Sequence, residues 1–272
     1  MVKALVRAIP MALVVCAVAG APSAAQVSWE RGEEGWCDRD RGGRDNERYC
    51  EVLTAAVASP GSLEIDGGMN GGVDIIAGAG NQVEIRAKVF ANARSADRAE
   101  EIARQVDVRV DGGRIYADGP DTGRRESWGV SYEITVPANT DLDIETLNGG
   151  ISVEDVAGDI RFEAVNGGVH LTGVAGDVRG HTTNGGLHIE LDGDRWDGAG
   201  LDVETTNGGV HLYVPEGYSA ELETGTVNGG IDIDFPVTVQ GRIGRRLRTT
   251  LGSGGPSVRV ITTNGGVSIS TR

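Results

Sequence analysis

The sequence lacks the short motifs that mark many enzyme active sites. It contains no His-Glu-x-x-His, no Gly-x-Ser-x-Gly and no Gly-x-x-x-x-Gly-Lys followed by Ser or Thr, so three common hydrolytic and phosphate-binding chemistries have no candidate residues. Lysine is also scarce, because Lys88 is the only one after Lys3. We therefore expect a protein that is not an enzyme and needs no cofactor. A solenoid enzyme acting on polysaccharides is the least favoured alternative.

Long apolar runs are absent beyond the N-terminus, so the mature chain is expected to have no transmembrane segment. The first 25 residues differ from the rest: Lys3 and Arg7 precede an apolar stretch at 8–21, and small residues follow at 23–25. This pattern predicts a signal peptide over residues 1–25. The protein is then exported, to the periplasm, the cell surface or the extracellular space.

Cysteine is used only three times. Cys16 lies within the predicted signal peptide and would leave with it; lipidation of Cys16 is disfavoured because no small residue precedes it. Cys37 and Cys50 form an even pair in a chain sent to an oxidising compartment, which predicts a disulfide. Closing a loop of this size would contribute roughly 3 kcal/mol in the chain-entropy model. A metal or redox pair is the alternative, but the spacing without a nearby His is poor for a metal.

Positive charge is in short supply, with a formal net charge of −15 that becomes −17 without Lys3 and Arg7. This balance disfavours nucleic acid and anionic lipid as non-specific partners. One local exception is a late, Gly-containing arginine cluster formed by Arg242, Arg245, Arg246 and Arg248. We predict a solvated loop there; the alternative is an anion-binding loop that contacts lipid headgroups or another anionic envelope polymer.

What the sequence has in abundance is glycine, much of it in one repeated tripeptide. Asn-Gly-Gly begins at Asn70, Asn148, Asn166, Asn184, Asn207, Asn228 and Asn264. The spacing is 18 residues in the first repeats after Asn148, and the final interval of 36 suggests a degenerate copy around residues 240–253. Internal periodicity of this kind is typical of repeat architectures.

Apolar residues alternate on both sides of each Asn-Gly-Gly, as in Ile160 and Phe162 before Asn166 and Val169 and Leu171 after it. A period of two indicates half-buried strands. Each unit of about 18 residues then makes two short strands and two turns, with Asn-Gly-Gly supplying positive φ angles. Such units bury their apolar faces by stacking. The predicted fold is all-β, a repetitive β-solenoid-like stack of short strands; a purely antiparallel sandwich is the alternative.

Upstream of the repeats the pattern loosens, and a short inserted helix is predicted at 95–105 among further strands. The expected organisation is a disulfide-containing N-terminal segment at 26–60, an irregular β region with the helix at 61–140, and the Asn-Gly-Gly β-repeat stack at 141–272. Residues 61–272 are expected to form one continuous domain.

The repeat asparagines stand an even number of positions after the buried residues before them, so in a continuous strand they would face the same side. We interpret Asn148, Asn166, Asn184, Asn207, Asn228 and Asn264 as an internal turn ladder of stacked amides. This role is structural; ligand binding by the asparagines is the disfavoured alternative.

Histidine occurs four times, and three of these residues share one outward register. Four positions after the repeat Asn, successive units present Ser152, His170, His188, His211 and Asp232. If the units stack in chain order, the imidazoles lie about 4.8 Å apart. Adjacent histidines could chelate Zn²⁺ or Cu²⁺, with Asp232 extending the site. A pH-responsive face, in which protonation near pH 6 weakens the stack, is a second hypothesis. The simplest interpretation is a neutral surface residue copied by repeat duplication.

The combination of these features resembles a known family. Trp36-Cys37, the segment Arg48-Tyr49-Cys50-Glu51-Val52, and a tail of Thr-x-Asn-Gly-Gly-hydrophobic units ending at Val267 are similar to the bacterial "putative adhesin" or Toastrack domain family of unknown function. The resemblance covers about residues 36 to 272. It implies a β-repeat fold in envelope-associated proteins and offers no established catalytic residue.

The functional hypothesis from sequence is a non-catalytic scaffold or binding module of the cell envelope, with a role in envelope sensing. Its partner is an unidentified envelope component or protein, and the chain is expected to be monomeric or weakly self-associating. A surface adhesin for carbohydrate or protein is the principal alternative.

Overall fold

The computed structural model describes residues 27–38, 46–236 and 244–272. The predicted signal peptide and Arg242 lie outside the described residues. The elements follow one another along the chain as β1 (Glu30–Arg31), a 3-10 helix (Glu34–Trp36), β2 (Glu47–Ala58), β3 (Ser62–Asp66), β4 (Val73–Gly78), β5 (Gln82–Ala93), α1 (Ala96–Ala103), β6 (Asp107–Asp111), β7 (Arg114–Asp118), β8 (Ser127–Pro137), β9 (Asp141–Thr146), β10 (Ile151–Glu154), β11 (Ala157–Asn166), β12 (Val169–Thr172), β13 (Ala175–Asn184), β14 (Leu187–Glu190), β15 (Gly200–Asn207), β16 (Val210–Val214), β17 (Ala220–Asn228), β18 (Ile231–Ile233), β19 (Arg246–Leu251), β20 (Ser257–Asn264) and β21 (Val267–Thr271).

The strands form two large sheets. The first sheet has 11 strands in the order β1-β2-β5-β8-β4-β10-β12-β14-β16-β21-β18, and the second has 10 in the order β19-β17-β20-β15-β13-β11-β9-β3-β7-β6. Each repeat contributes one strand to the second sheet, turns at Asn-Gly-Gly, and contributes the next strand to the first sheet. Repeat strands pair in parallel and in register, as in Ile160 opposite Val178 and Val169 opposite Leu187. The predicted all-β, solenoid-like stack is therefore confirmed.

The core lies between the two sheets and is built from the alternating apolar positions. Inward residues of equivalent strands form continuous rows; one row in the second sheet contains the buried residues Leu142, Ile160, Val178, Leu201, Val258 and Leu222. Burying such rows is the main favourable contribution to folding, at roughly 25 cal/mol per Å² of apolar surface. A single repeat cannot close this core, whereas adjacent repeats do so together.

The repeats do not stack in chain order. We call one repeat, with its one strand in each sheet, a rung. The last repeat, β20 and β21, inserts between the rungs of β15/β16 and β17/β18. The degenerate copy expected around residues 240–253 is absent from the described part of that segment, where β19 instead pairs antiparallel with β17. The predicted degenerate copy was therefore wrong, because the long final interval contains an edge strand and a return of the chain into the stack.

Antiparallel strands close the N-terminal end of the stack. The 12-residue strand β2 pairs with β5, and β5 pairs with β8. The predicted helix forms as α1, where the Oγ of Ser95 accepts a hydrogen bond from the backbone N–H of Arg98 at 3.3 Å. Its buried residues Ala99 and Ile102 pack against β2 and β5. The predicted disulfide joins Cys37 to Cys50 at the start of this region.

The prediction that Asn-Gly-Gly needs glycine to supply positive φ angles was wrong. Among the described residues, none of the Asn-Gly-Gly glycines has a positive φ. A Cβ on Gly167 would instead lie 1.9 Å from the carbonyl oxygen of Gly149 on the neighbouring rung, and a Cβ on Gly208 would lie 2.0 Å from that of Gly185. Close packing of one rung on the next therefore excludes a side chain at this position. The left-handed conformations occur at the opposite turn, where Asp155 has φ 57° and Gly176 has φ 102°.

Candidate functional site: the outer face of the first sheet

Three imidazoles form a column on the outer face of the first sheet. In-register pairing places His170 opposite His188 on β14, and His188 opposite His211 on β16. The ring centroids of His170 and His188 are 5.3 Å apart, and those of His188 and His211 are 6.4 Å apart, with the planes tilted by 33° and 39°. Ser152 and Ser268 bound the column on its two sides. We call these five residues the imidazole face.

Tyr213 and Glu190 join this face from the next outward position of the same strands. The centroids of Tyr213 and His188 are 5.1 Å apart. The Nε2–H of His188 donates to the Oε1 of Glu190 at 3.1 Å, and Arg272 donates to Oε2 at 2.7 Å. These hydrogen bonds, that of His188 first, lower the pKa of Glu190. Neither residue was predicted as part of a site, although each stands two positions after a column histidine, where a strand returns to the same face.

Asp232 does not extend the histidine column as predicted. Because β21 inserts between β16 and β18, Ser268 separates Asp232 from His211. Two rungs span roughly 9 to 10 Å, which is too far for the two side chains to share an ion directly. Within the described ranges, no group of three or more His, Cys, Asp or Glu residues is arranged to hold a metal. Metal binding by the imidazoles stays a prediction that rests on adjacent pairs of histidines.

On its other side the imidazole face continues into an acidic region. The outward row runs from Ser152 to Asp74 on β4 and Glu133 on β8. Arg86 forms an ion pair with Glu133. The pKa of Asp74 is raised, first because neighbouring protein atoms displace water from its carboxylate and second because Glu133 is close. The first sheet thus presents imidazole, hydroxyl and carboxylate groups in one fixed row.

The asparagine ladder exists, but it lies at the surface. The six asparagines follow one another in the order Asn148, Asn166, Asn184, Asn207, Asn264, Asn228, and from Asn166 onward each Nδ2 donates to the Oδ1 of the preceding asparagine at 2.7 to 2.9 Å. The Nδ2 of Asn148 donates to the backbone carbonyl of Met69 at 2.7 Å. All six residues are exposed. The prediction of an internal ladder was wrong because the chain leaves the sheet at the corner, which breaks the alternation after the inward Thr. The ladder runs along the outer edge where the two sheets meet.

The residues two positions before the asparagines supply a second, buried ladder. The Thr205 hydroxyl donates to the carbonyl of Gly185 at 2.7 Å, and the Thr262 hydroxyl donates to that of Gly208 at 2.8 Å. Thr146, Thr182 and Thr226 make equivalent bonds to glycine carbonyls of the adjacent rung. These hydroxyls satisfy buried backbone oxygens at the corner. The Thr-x-Asn-Gly-Gly unit therefore links adjacent rungs by hydrogen bonds from both its Thr and its Asn.

In the described residues, the later part of the predicted arginine loop is a strand. Arg246 and Arg248 lie on β19, where Leu247, Thr249 and Leu251 face inward and are buried. Arg248 forms an ion pair with Glu223 on β17 at 2.7 Å, and Arg245 is exposed just before the strand. The interpretation as a loop missed the alternating pattern that begins at Arg246. Two of the four arginines therefore belong to the outer surface of the second sheet.

Comparison with known proteins finds one matching family model and several similar structures. The family model described as Toastrack DUF4097 matches residues 160–270, a narrower range than the 36–272 expected from the motifs. No curated protein matches the chain. In the described residues, no helix is both long and apolar enough to cross a membrane.

Similar solved structures include a "putative cell adhesion protein" from Clostridium sporogenes, with 12% identity and a TM-score of 0.44 over 84% of this chain and 100% of that chain. A "putative adhesin" from Bacteroides fragilis has 10% identity and a TM-score of 0.35 over 81% of this chain and 97% of that chain. A "putative adhesin" from Parabacteroides distasonis has 8% identity and a TM-score of 0.33 over 80% of this chain and 96% of that chain.

The segment matched by the family model runs from β11 into β21 and contains the histidine column and five of the six ladder asparagines. The resemblance predicted from the Thr-x-Asn-Gly-Gly units is thereby confirmed for residues 160–270, which match the Toastrack DUF4097 family model.

Proposed function

We propose that the protein is a non-catalytic binding module exported to the cell envelope, and that the imidazole face is its contact surface. The observation that carries this proposal is the fixed row of His170, His188 and His211 beside Tyr213. Because parallel in-register strands hold these side chains, little conformational entropy is lost when a partner covers them. Imidazole and phenol rings offer flat apolar faces with polar edges, which suits a sugar-containing polymer or a protein surface.

The exposure of the rings supports a binding role over catalysis. His170 and His211 are exposed, and His188 is half-buried. General acid–base catalysis depends on a site that excludes water and positions the substrate in a cleft. The imidazole face is part of an open sheet surface, so an extended partner can lie across several rungs.

Two features support export. Lys3 and Arg7 with the apolar stretch that follows favour a signal peptide. The disulfide between Cys37 and Cys50 fits an oxidising compartment. The partner is an envelope component or a neighbouring protein, and its identity follows from the experiment below.

Binding is tested by retention of the purified mature protein on cell-wall and lipid material, compared with the triple variant His170→Ser, His188→Ser and His211→Ser. Serine already stands in this row at Ser152 and Ser268, so the substitution keeps a residue type that the row accommodates. We expect retention to fall at least tenfold. Unchanged retention would contradict the proposal.

A matched control places serine in the other sheet, at the outward residues Arg161 and Arg179. This control should retain wild-type binding. A third variant, neutral at Arg245, Arg246 and Arg248, tests the anion-binding alternative. Loss of retention in this variant alone would show that the partner binds near β19 and not at the imidazole face.

Location separates an internal scaffold from a surface adhesin. Cells that express the protein with a tag after Arg272 are fractionated, and intact cells are treated with an external protease. Periplasmic, protected protein would contradict the adhesin alternative. Display on the exterior would contradict an internal scaffold and leave the imidazole face as an adhesive surface.

A further inference from the structure

A second surface, independent of the imidazole face, lies where the second sheet meets the turn before β4. Two adjoining cavities of about 610 and 380 Å³ share Asp66, Gly68 and Met69. The larger is lined by Trp128 and Tyr132, and the smaller, on the other side of the shared residues, by Glu145, Leu147 and Val165. We call the two cavities together the corner groove.

The floor of the corner groove is apolar and open to solvent. Met69 is 67% exposed, Leu147 41% and Val165 39%, and they are three of the five large apolar side chains exposed in the described residues. The equivalent positions of the next two rungs carry Thr183 and Thr206. The contiguous apolar surface at this end of the stack therefore stops at Val165; at the opposite end the same position carries Val227, which is 52% exposed but stands apart from it. Contiguous exposed apolar patches commonly mark contact sites.

One wall of the groove is a column of carboxylates. Asp66, Glu145 and Glu163 lie directly opposite one another on β3, β9 and β11. Arg114 reaches Asp66 at 3.6 Å but also binds Glu64 at 3.0 Å, and none of the cations in the described ranges lies within ion-pair distance of Glu145 or Glu163. Like charges on directly opposed strand positions are destabilising, so a cationic partner would relieve this repulsion.

The other end of the groove contains an unused hydroxyl. Tyr132 lines the groove, its side chain is fully buried, and its Oη has no hydrogen-bond partner among the described residues. Burial, with a contribution from the charge of Asp66, raises the pKa of Tyr132, so the group stays a neutral O–H. A buried hydroxyl without a partner is unfavourable by about 1 to 3 kcal/mol. A ligand that brings a carbonyl oxygen would remove this penalty.

We propose that the corner groove binds an extended cationic peptide segment. Its lysine or arginine side chains meet the carboxylates of Asp66, Glu145 and Glu163, its aliphatic side chains cover Met69, Leu147 and Val165, and a backbone carbonyl accepts from Tyr132. Alternation of charged and aliphatic side chains in such a segment matches the two sides of the groove. The negative charge of the protein, formally −15, increases the rate of encounter with such a partner.

The test uses three acetylated and amidated hexapeptides of the sequences (Lys-Val)3, (Ser-Val)3 and (Glu-Val)3, with binding measured by calorimetry at low salt. We expect the lysine peptide to bind at least tenfold more tightly than the other two. Equal binding of the serine peptide would overturn the ionic part of the proposal. Equal binding of spermine, which carries cations without aliphatic side chains, would overturn the peptide as occupant.

Two double variants with the same change in net charge distinguish binding in the corner groove from a general effect of the protein's negative charge. The double variant Glu145→Gln and Glu163→Gln should weaken binding of the lysine peptide at least fivefold. The control, Glu84→Gln and Glu154→Gln, changes the net charge equally at exposed residues of the other sheet and should change binding less than twofold. Equal loss in both double variants would overturn the proposal.

The hydroxyl has its own variant. Tyr132→Phe keeps the ring and removes the unused Oη, so the variant should fold at least as stably as the wild type. Binding of the lysine peptide should weaken two- to threefold. Wild-type affinity in this variant would overturn the assigned contact to the peptide carbonyl.

Discussion

At the scale of single residues, the two glycines of each repeat have different reasons to be glycine. A Cβ on Gly167 would lie 1.9 Å from a backbone oxygen of the next rung, whereas one on Gly168 would have its nearest neighbour at 3.6 Å. The first position therefore sets how closely two rungs can approach at the corner. At Gly168 the second position has room for a methyl group.

We predict opposite consequences for Gly167→Ala and Gly168→Ala. The first should lower the free energy of unfolding by about 3 kcal/mol or more, because the backbone of two rungs must separate. The second should change it by less than about 1 kcal/mol, since alanine also restricts the unfolded chain. Urea denaturation of both variants measures the difference. Similar losses in the two variants would contradict close approach of the rungs as the reason for glycine at the first position.

Glu190 provides a second prediction at this scale, for the pH dependence of stability. Its pKa is lowered in the folded state, first by His188 and then by Arg272. The unfolded chain therefore binds the proton more tightly. The stabilisation is fully present above the ordinary value near 4.5 and is lost as pH falls through the lower folded value.

The variant Glu190→Gln should accordingly be less stable than wild type at pH 7, and the difference should shrink towards zero as pH falls below about 4. Urea unfolding at successive pH values measures it. Glu154→Gln, at an exposed position of the same sheet, should show no such pH-dependent difference. A constant gap between wild type and Glu190→Gln across the range would contradict this role for the carboxylate.

At the scale of elements, much of the stack could be predicted from alternation alone. The inward rows through Ile160 and Val169 and the strands around Asn70 follow from period two, and the helix after Ser95 forms where it was predicted. The location of the repeat asparagines could not be predicted, because side chains alternate between the two faces only while the strand continues. At the corner the chain changes direction, and Asn207 becomes exposed although Thr205 is buried.

The surface position of the asparagine ladder predicts modest and graded contributions to stability. Asn184 donates to Asn166 and accepts from Asn207, whereas Asn228 only donates, to Asn264. With about 0.5 to 1.5 kcal/mol for each hydrogen bond, Asn184→Ala should destabilise the protein about twice as much as Asn228→Ala. Thermal and urea unfolding of the two variants measure the ratio. Equal effects would indicate that the amides act through solvent and not through the ladder.

At the scale of the whole molecule, the order of the rungs was the feature least accessible from sequence. Every repeat offers the same inward pattern, so apolar periodicity does not identify neighbours. The charged residues on the outer face of the second sheet did indicate the order. Stacking in chain order would place Asp202 opposite Glu223, whereas the structure places Arg259 between them, with an ion pair to Asp202. The outward residues of the second sheet thus favour the inserted order.

The inserted order predicts that the C-terminal repeat is essential for the rungs on either side of it. Strand β17 pairs only with β20 and β19 in the described residues, so removal of residues 257–272 leaves β17 and β19 as an isolated two-stranded unit. Such a unit is marginally stable in water. Hydrogen exchange should show loss of amide protection in β17, β18 and β19, while β9 through β13 keep theirs, because those rungs contact one another directly.

Complementation distinguishes a missing rung from general misfolding. A synthetic peptide of residues 257–272, added to the truncated protein, supplies the β20 and β21 strands and should restore protection in β17 by strand addition. A peptide of the same composition in scrambled order should not, because the alternation that places Val258 and Val260 in the core is lost. Native protection of β17 in the truncated protein without peptide would contradict the inserted order of the stack.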